Sequence, residues 1–110
     1  MSATPPPFDV EVTSNGGAST VRVRGELDIA TVGRLVQARD DALASRPPEL
    51  EIDLRPVEFV DSSGLKFLLE TYWLAQREGF TLRLLKPPDS VMKVFTVSGA
   101  DRHLPFVDAR

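Results

Sequence analysis

The sequence predicts a mixed α/β fold: a small mixed β-sheet that opens with an antiparallel hairpin and continues through strand-helix-strand units, with the helices mainly on one face. Three observations carry this prediction. Apolar and charged residues alternate in several short runs, apolar residues recur at helical spacing between those runs, and every clear strand keeps one polar side. A doubly wound parallel sheet covered on both faces needs strands that are almost wholly apolar, so the alternation points to a sheet with one face open to water.

The elements follow in order. Residues 1–7 hold three consecutive prolines and, after Met1, no large hydrophobe, which predicts a flexible N-terminal segment over 1–7 and a single domain over 8–110. Phe8, Val10 and Val12 alternate with Asp9, Glu11 and Thr13. Asn15-Gly16-Gly17 then supplies turn chemistry, and Val21 and Val23 alternate with Arg22 and Arg24. This is a hairpin whose wet face sets Asp9 and Glu11 across from the two arginines. From about Thr31 to Ser45 an apolar stripe of Val32, Leu35, Val36 and Leu43 reads as a helix, stopped by Pro47-Pro48. A strand runs through about Leu54, with Leu50, Ile52 and Leu54 alternating with Glu51 and Asp53. A central helix follows Asp61 and ends at Gly79, and Phe80, Leu82 and Leu84 mark another strand. Pro87-Pro88 open a short helix with Val91, Val94 and Phe95 on its apolar side and Gly99 at its end. Leu104-Pro105-Phe106-Val107 then adds a brief edge strand.

Composition narrows the function. With 42% hydrophobic and 26% charged residues the chain is of globular type, and no apolar run approaches the roughly 18 residues of a membrane span. A net charge of -3 creates no field that attracts phosphate backbones, so neither nucleic acid nor membrane is expected as a partner. There is no cysteine, and the N-terminus lacks the basic-then-apolar character of a signal peptide, which leaves a soluble, cytoplasmic protein as the expectation. His103 is the single histidine, in a loop-like stretch. Neither a His-Glu-x-x-His motif, a Walker loop nor a Gly-x-Ser-x-Gly elbow is present, so no metal, cofactor or catalytic set is expected.

The most informative stretch is Asp61-Ser62-Ser63-Gly64-Leu65, at a crossing from strand to helix. A serine there stands at a helix mouth, exposed and open to modification, although serine at this place also serves as an ordinary N-cap. Gly64 calls for its own reason, because glycine in a helix costs up to about 1 kcal/mol against alanine. Close approach by the preceding loop, a neighbouring strand or an outside partner would supply one. On a helical wheel Leu65, Leu68, Leu69, Tyr72 and Ala75 fall on the core side. Phe67 and Leu74 fall opposite, rimmed by Lys66, Glu70, Arg77 and Glu78, which predicts a docking surface. Trp73 sits at the margin of the core stripe.

Gly25-Glu26-Leu27-Asp28, joined to Val60-Asp61-Ser62-Ser63-Gly64-Leu65 and followed by Ser98-Gly99-Ala100, resembles the STAS domain of bacterial anti-sigma-factor antagonists. The resemblance spans most of the chain. It implies that Ser62 is phosphorylated by an anti-sigma factor serine kinase, with Asp28 as the acidic loop residue beside it and Asp61, Ser63 and Gly64 completing the phosphosite. Partner contacts would fall to Phe67, Leu74 and Lys66. It further implies a non-enzymatic module whose unphosphorylated form binds the kinase and releases the sigma factor; a serine phosphatase that resets Ser62 is compatible with this. The alternative within the same fold is a scaffold or signal-sensing domain that acts through protein-protein contacts without serine phosphorylation. An enzyme reading would make Ser62 a nucleophile with His103 as base and Asp28 or Asp61 orienting it, and nothing around Ser62 favours it.

Overall fold

The computed structural model describes residues 8–109; the segment 1–7 expected to be a flexible lead-in, and Arg110, lie outside the described residues. Strands β1 (Asp9–Asn15) and β2 (Ala18–Leu27) form the predicted antiparallel hairpin, in a register that sets Asp9 opposite Arg24 and Glu11 opposite Arg22. The chain then runs through helix α1 (Val32–Leu43), strands β3 (Glu49–Asp53) and β4 (Val57–Val60), helix α2 (Ser62–Glu78) and strand β5 (Thr81–Leu85). Helix α3 (Asp89–Ser98), a short 3-10 turn and strand β6 (Phe106–Val107) complete it. The main sheet has the order β1-β2-β3-β5-β6, with every pair after the hairpin parallel. Within it the strand residues Val21, Val23, Leu50, Ile52, Leu82 and Leu84 share one core cluster with Leu35 of α1, Leu68 of α2 and Phe95 of α3. The three helices thus bury their apolar sides against one sheet face.

The opposite face is a lattice of charges, as the alternation predicts. Arg83 lies 3.4 Å from Glu51 and 3.9 Å from Glu49, and Arg22 reaches Asp53 at 3.9 Å. Opposite charges on neighbouring strands stabilise by a few tenths of a kcal/mol each where water screens them, on the order of 0.2–1 kcal/mol, so the face is held wet rather than sticky. Asp53 differs from the rest because it is 3% exposed. Burial pushes its carboxyl up, but the two-pronged grip of Arg55 at 2.9 and 2.8 Å, the Arg55 amide at 3.1 Å and the charge of Arg22 prevail, holding it below the usual carboxylate range.

Here the structure corrects the sequence reading. The alternation through Leu54 predicts one strand handing over to the central helix, whereas the chain forms two. Asp53 Oδ1 accepts the Arg55 amide and closes a tight turn, Pro56 has no N–H to extend a ladder, and pairing resumes only at Val57. The strand that delivers Asp61 and Ser62 is therefore β4. It pairs in parallel with the last residues of β2, Gly25 opposite Val57, Glu26 opposite Phe59 and Leu27 opposite Val60. Gly25, at φ 99°, marks the register shift where β2 passes from β3 to β4, a backbone conformation in which glycine carries no steric cost.

Candidate functional site

The parallel register of β2 and β4 builds the site. Leu27 faces Val60, and the Asp61 amide donates to the Leu27 carbonyl at 3.1 Å, so the residues just past both strands, Asp28 on one and Asp61-Ser62 on the other, emerge side by side. Asp61 is the cap of α2: its Oδ1 accepts the Ser63 amide at 2.8 Å and the Gly64 amide at 3.4 Å. The plain alternative, in which a serine caps this helix, is thereby answered. Ser62 is the first helical residue, exposed, with its hydroxyl relieved of any capping duty.

Gly64 has an internal reason. A Cβ built there would stand 2.7 Å from Leu27 Cγ and 3.0 Å from Val60 Cγ1, so only a glycine lets the first turn of α2 settle onto the two strand ends. Of the explanations the sequence left open, the neighbouring strand is the one found. The glycine thus sets the height at which Ser62 stands above the sheet.

Asp28 shapes its own loop. Its Oδ1 accepts the Ala30 amide at 2.9 Å and the Thr31 amide at 3.2 Å, while Thr31 Oγ1 accepts the Asp28 amide at 3.0 Å and donates to the Glu26 carbonyl at 2.8 Å. The loop between β2 and α1 is consequently tied from both ends. At its apex Ile29 stands 79% exposed, and on β4 Phe59 stands 48% exposed. Sequence reasoning passed over both. Ile29 belongs to no periodic run, and Phe59 lies on the strand that the reading through Leu54 missed; two bulky hydrophobes within three residues of Asp61 or Asp28 were the available signal.

The predicted docking face of α2 is corrected. Phe67 does not face outward: it is 2% exposed and part of the core. The buried stripe of α2 is Gly64, Phe67, Leu68, Thr71 and Ala75, rotated from the wheel's prediction. Helix α1 is the cause. Arg39 lays its guanidinium 5.1 Å over the Phe67 ring and donates to Thr71 Oγ1 at 3.1 Å, while Thr71 donates to the Phe67 carbonyl at 2.8 Å. Leu74 is half-buried, Lys66 is exposed and lies 3.8 Å from Glu70, and Trp73, expected at the core margin, is 65% exposed.

The family model described as Mlab, STAS domain, matches residues 10–108. The chain belongs to the STAS domain family. Among solved structures, this STAS domain is similar to an anti-sigma factor antagonist from Mycobacterium paratuberculosis, at 31% identity over 97% of this chain and 91% of that one, with a TM-score of 0.85. It is also similar to the anti-sigma factor antagonist SpoIIAA in its unphosphorylated form, at 25% identity over 94% and 89% of the two chains, with a TM-score of 0.73. Of curated relatives, the anti-sigma-F factor antagonist RsfB of Mycobacterium tuberculosis is 39% identical over 71 residues, 64% of this chain; the match spans 57% of the relative's length. An anti-sigma F factor antagonist of Paenibacillus polymyxa is 29% identical over 92% of this chain and 87% of its own. The mixed sheet and three helices are those of these neighbours, and no helix among the described residues is long and apolar enough to cross a membrane.

Proposed function

We propose that this STAS domain is a cytoplasmic anti-sigma factor antagonist, a binding module rather than an enzyme, switched by phosphorylation of Ser62. Its unmodified form binds an anti-sigma factor serine kinase and thereby frees the sigma factor; the kinase closes the cycle by phosphorylating Ser62. The observation that carries this reading is the exposed Ser62 hydroxyl at the first position of α2, with the capping work done by Asp61. The antagonists it resembles support it, and one of them, SpoIIAA, has solved structures described as unphosphorylated and phosphorylated. Asp28, Asp61, Ser63 and Gly64 form and position the phosphosite; Lys66, one turn along α2, adjoins it, and Leu74, twelve residues along the same helix, is a contact only for a partner that covers the length of α2.

The switch is electrostatic. A phosphoserine adds about -1.5 to -2 charges, and a helix N-terminus tolerates an anion, so the fold keeps its shape. A partner that covers the site must strip water from that dianion. An interface penalty of about 4 kcal/mol weakens binding about a thousandfold, enough to end the partnership.

The test uses the full chain, ATP and the anti-sigma factor kinase of the same cell. Mass spectrometry is expected to locate one phosphate on Ser62, Ser62→Ala to keep kinase binding, and Ser62→Asp to weaken it, with both variants folded. Equal affinity of the two variants, or a phosphate elsewhere, overturns the switch; an unmodified chain that still binds favours the scaffold reading.

A further inference from the structure

Beside Ser62 the chain carries two large hydrophobes that the fold leaves largely or half in water. Ile29 is 79% exposed in the loop just past β2, and Phe59 is 48% exposed on β4, the strand that leads into Ser62. Ile29 lies two residues past Leu27, Ser62 two past Val60, and those two strand residues are register partners. Neighbouring strands run about 4.8 Å apart, so the loop apex and the helix mouth are close neighbours. Phe59 precedes Ser62 by three residues, at most about 11 Å of chain.

Ile29 is also held rather than loose. Asp28 and Thr31 tie the loop through hydrogen bonds of 2.8 to 3.2 Å to Glu26, Ala30 and each other, and the outcome is an isoleucine fixed in water. A rigid loop that exposes a branched hydrophobe gains nothing for folding and loses little entropy on binding, which is the signature of an anchor. Glu26 is the register partner of Phe59, Glu58 precedes Phe59 in the chain, and Asp28 and Asp61 follow the two strand ends, with Lys66 one turn along α2. An apolar centre with an acidic rim fits a partner with apolar pockets bordered by arginine or lysine.

We infer that Ile29 and Phe59 are the apolar anchors by which the anti-sigma factor grips this domain, and that the Ser62 hydroxyl is desolvated between them while the carboxylates pair with cations at the partner's rim. The inference rests on the proposed function and adds to it the residues that hold the partner over Ser62. A phosphate on Ser62 would enter the apolar centre, where no water remains to solvate it, and not the rim, where the partner's cations would welcome it.

The test titrates the anti-sigma factor of the same cell with the wild-type chain and with Ile29→Ala, Phe59→Ala and Trp73→Ala. Ile29→Ala and Phe59→Ala are each expected to weaken binding at least tenfold, Ile29→Ala with unchanged thermal unfolding and Phe59→Ala folded with a modestly lower unfolding temperature, since about half of its ring is covered. Trp73→Ala, eleven residues along α2 from Ser62 and flanked by Arg39 and Arg77, is expected to leave affinity within twofold. On the wild-type chain alone, hydrogen exchange at residues 28–31 and 58–60 is expected to slow when the partner is added. Tight wild-type binding that survives both truncations, or that is lost with Trp73→Ala while residues 28–31 and 58–60 stay unprotected, overturns the anchors and leaves the proposed function standing. Absence of wild-type binding overturns the proposed function and the anchors with it.

Discussion

Asp61 serves the helix as its cap, whereas Gly64 acts against what a helix alone would prefer, and substitution separates the two roles. Asp61 takes the Ser63 and Gly64 amides, so Asp61→Ala is expected to cost about 1 kcal/mol in urea unfolding, the ordinary value of a cap. Gly64→Ala offers a sharper test because two effects compete with opposite sign. Helix propensity alone would gain up to about 1 kcal/mol, but the added Cβ meets Leu27 Cγ at 2.7 Å and Val60 Cγ1 at 3.0 Å. Overpacking of this kind typically costs about 1–3 kcal/mol, so a net loss is expected, and a smaller one in a Leu27→Ala background, where the crowding atom is gone. A stabilised Gly64→Ala would mean that the helix can lift off the strand ends without penalty. The motif around Ser62 was legible in the sequence as chemistry. The reason for its glycine was not, because Leu27 lies 37 positions away and only strand pairing brings it there.

Helix α2 and the β3-β4 turn show the limits of periodicity. Leu65, Leu69 and Tyr72 drew the predicted core stripe towards themselves, but the helix is gripped on two sides, by the sheet and by Arg39 from α1. Glycine and threonine at Gly64 and Thr71 disguised the true stripe, since neither looks apolar on a wheel. Phe67→Ala is therefore expected to cost about 3–5 kcal/mol of stability, as a core truncation. Trp73→Ala should cost less than about 0.5 kcal/mol, as befits a surface change. Comparable losses for the two would restore the outward Phe67. In the turn, Asp53 has a carboxyl held below its unfolded value by Arg55 and Arg22 despite burial. Its ion-pair contribution is thus fully present above the unfolded value of about 4 and disappears as pH falls through the lower folded value. The stability gap between the wild type and Asp53→Asn is expected to be widest near neutral pH and to close below about pH 4. A gap that stays constant down to pH 2 would remove the charged pair from the account.

For the assembled domain the expectation is a switch without refolding. Phosphate on Ser62 joins a helix N-terminus whose dipole favours it by about 0.3–1 kcal/mol, while Asp61 opposes it at close range, so the phosphorylated chain should unfold within about 1 kcal/mol of the unmodified one. Far-UV circular dichroism and urea titration of both forms check this, beside the binding titration that reads the loss of partner. A phosphorylated chain with altered sheet content would make the switch conformational. The division of labour across the molecule fits: helices and apolar strand faces form one core, the far sheet face is a wet lattice of charges, and the exposed bulk of Ile29 and Phe59 gathers where β2 and β4 end.

Local pattern determined the hairpin, the three helices, β5, the edge strand and the exposed serine at a helix mouth, because each is written in alternation, capping chemistry or glycine and proline punctuation within a few positions. Tertiary structure alone decided that β4 rather than β3 delivers Ser62, that Phe67 is core and Trp73 surface, and that Ile29 and Phe59 share an end of the sheet with Ser62. Those outcomes depend on which distant segments share a face. Register between strands and contact between helices are properties of pairs, and a single run of residues carries only its own half of each.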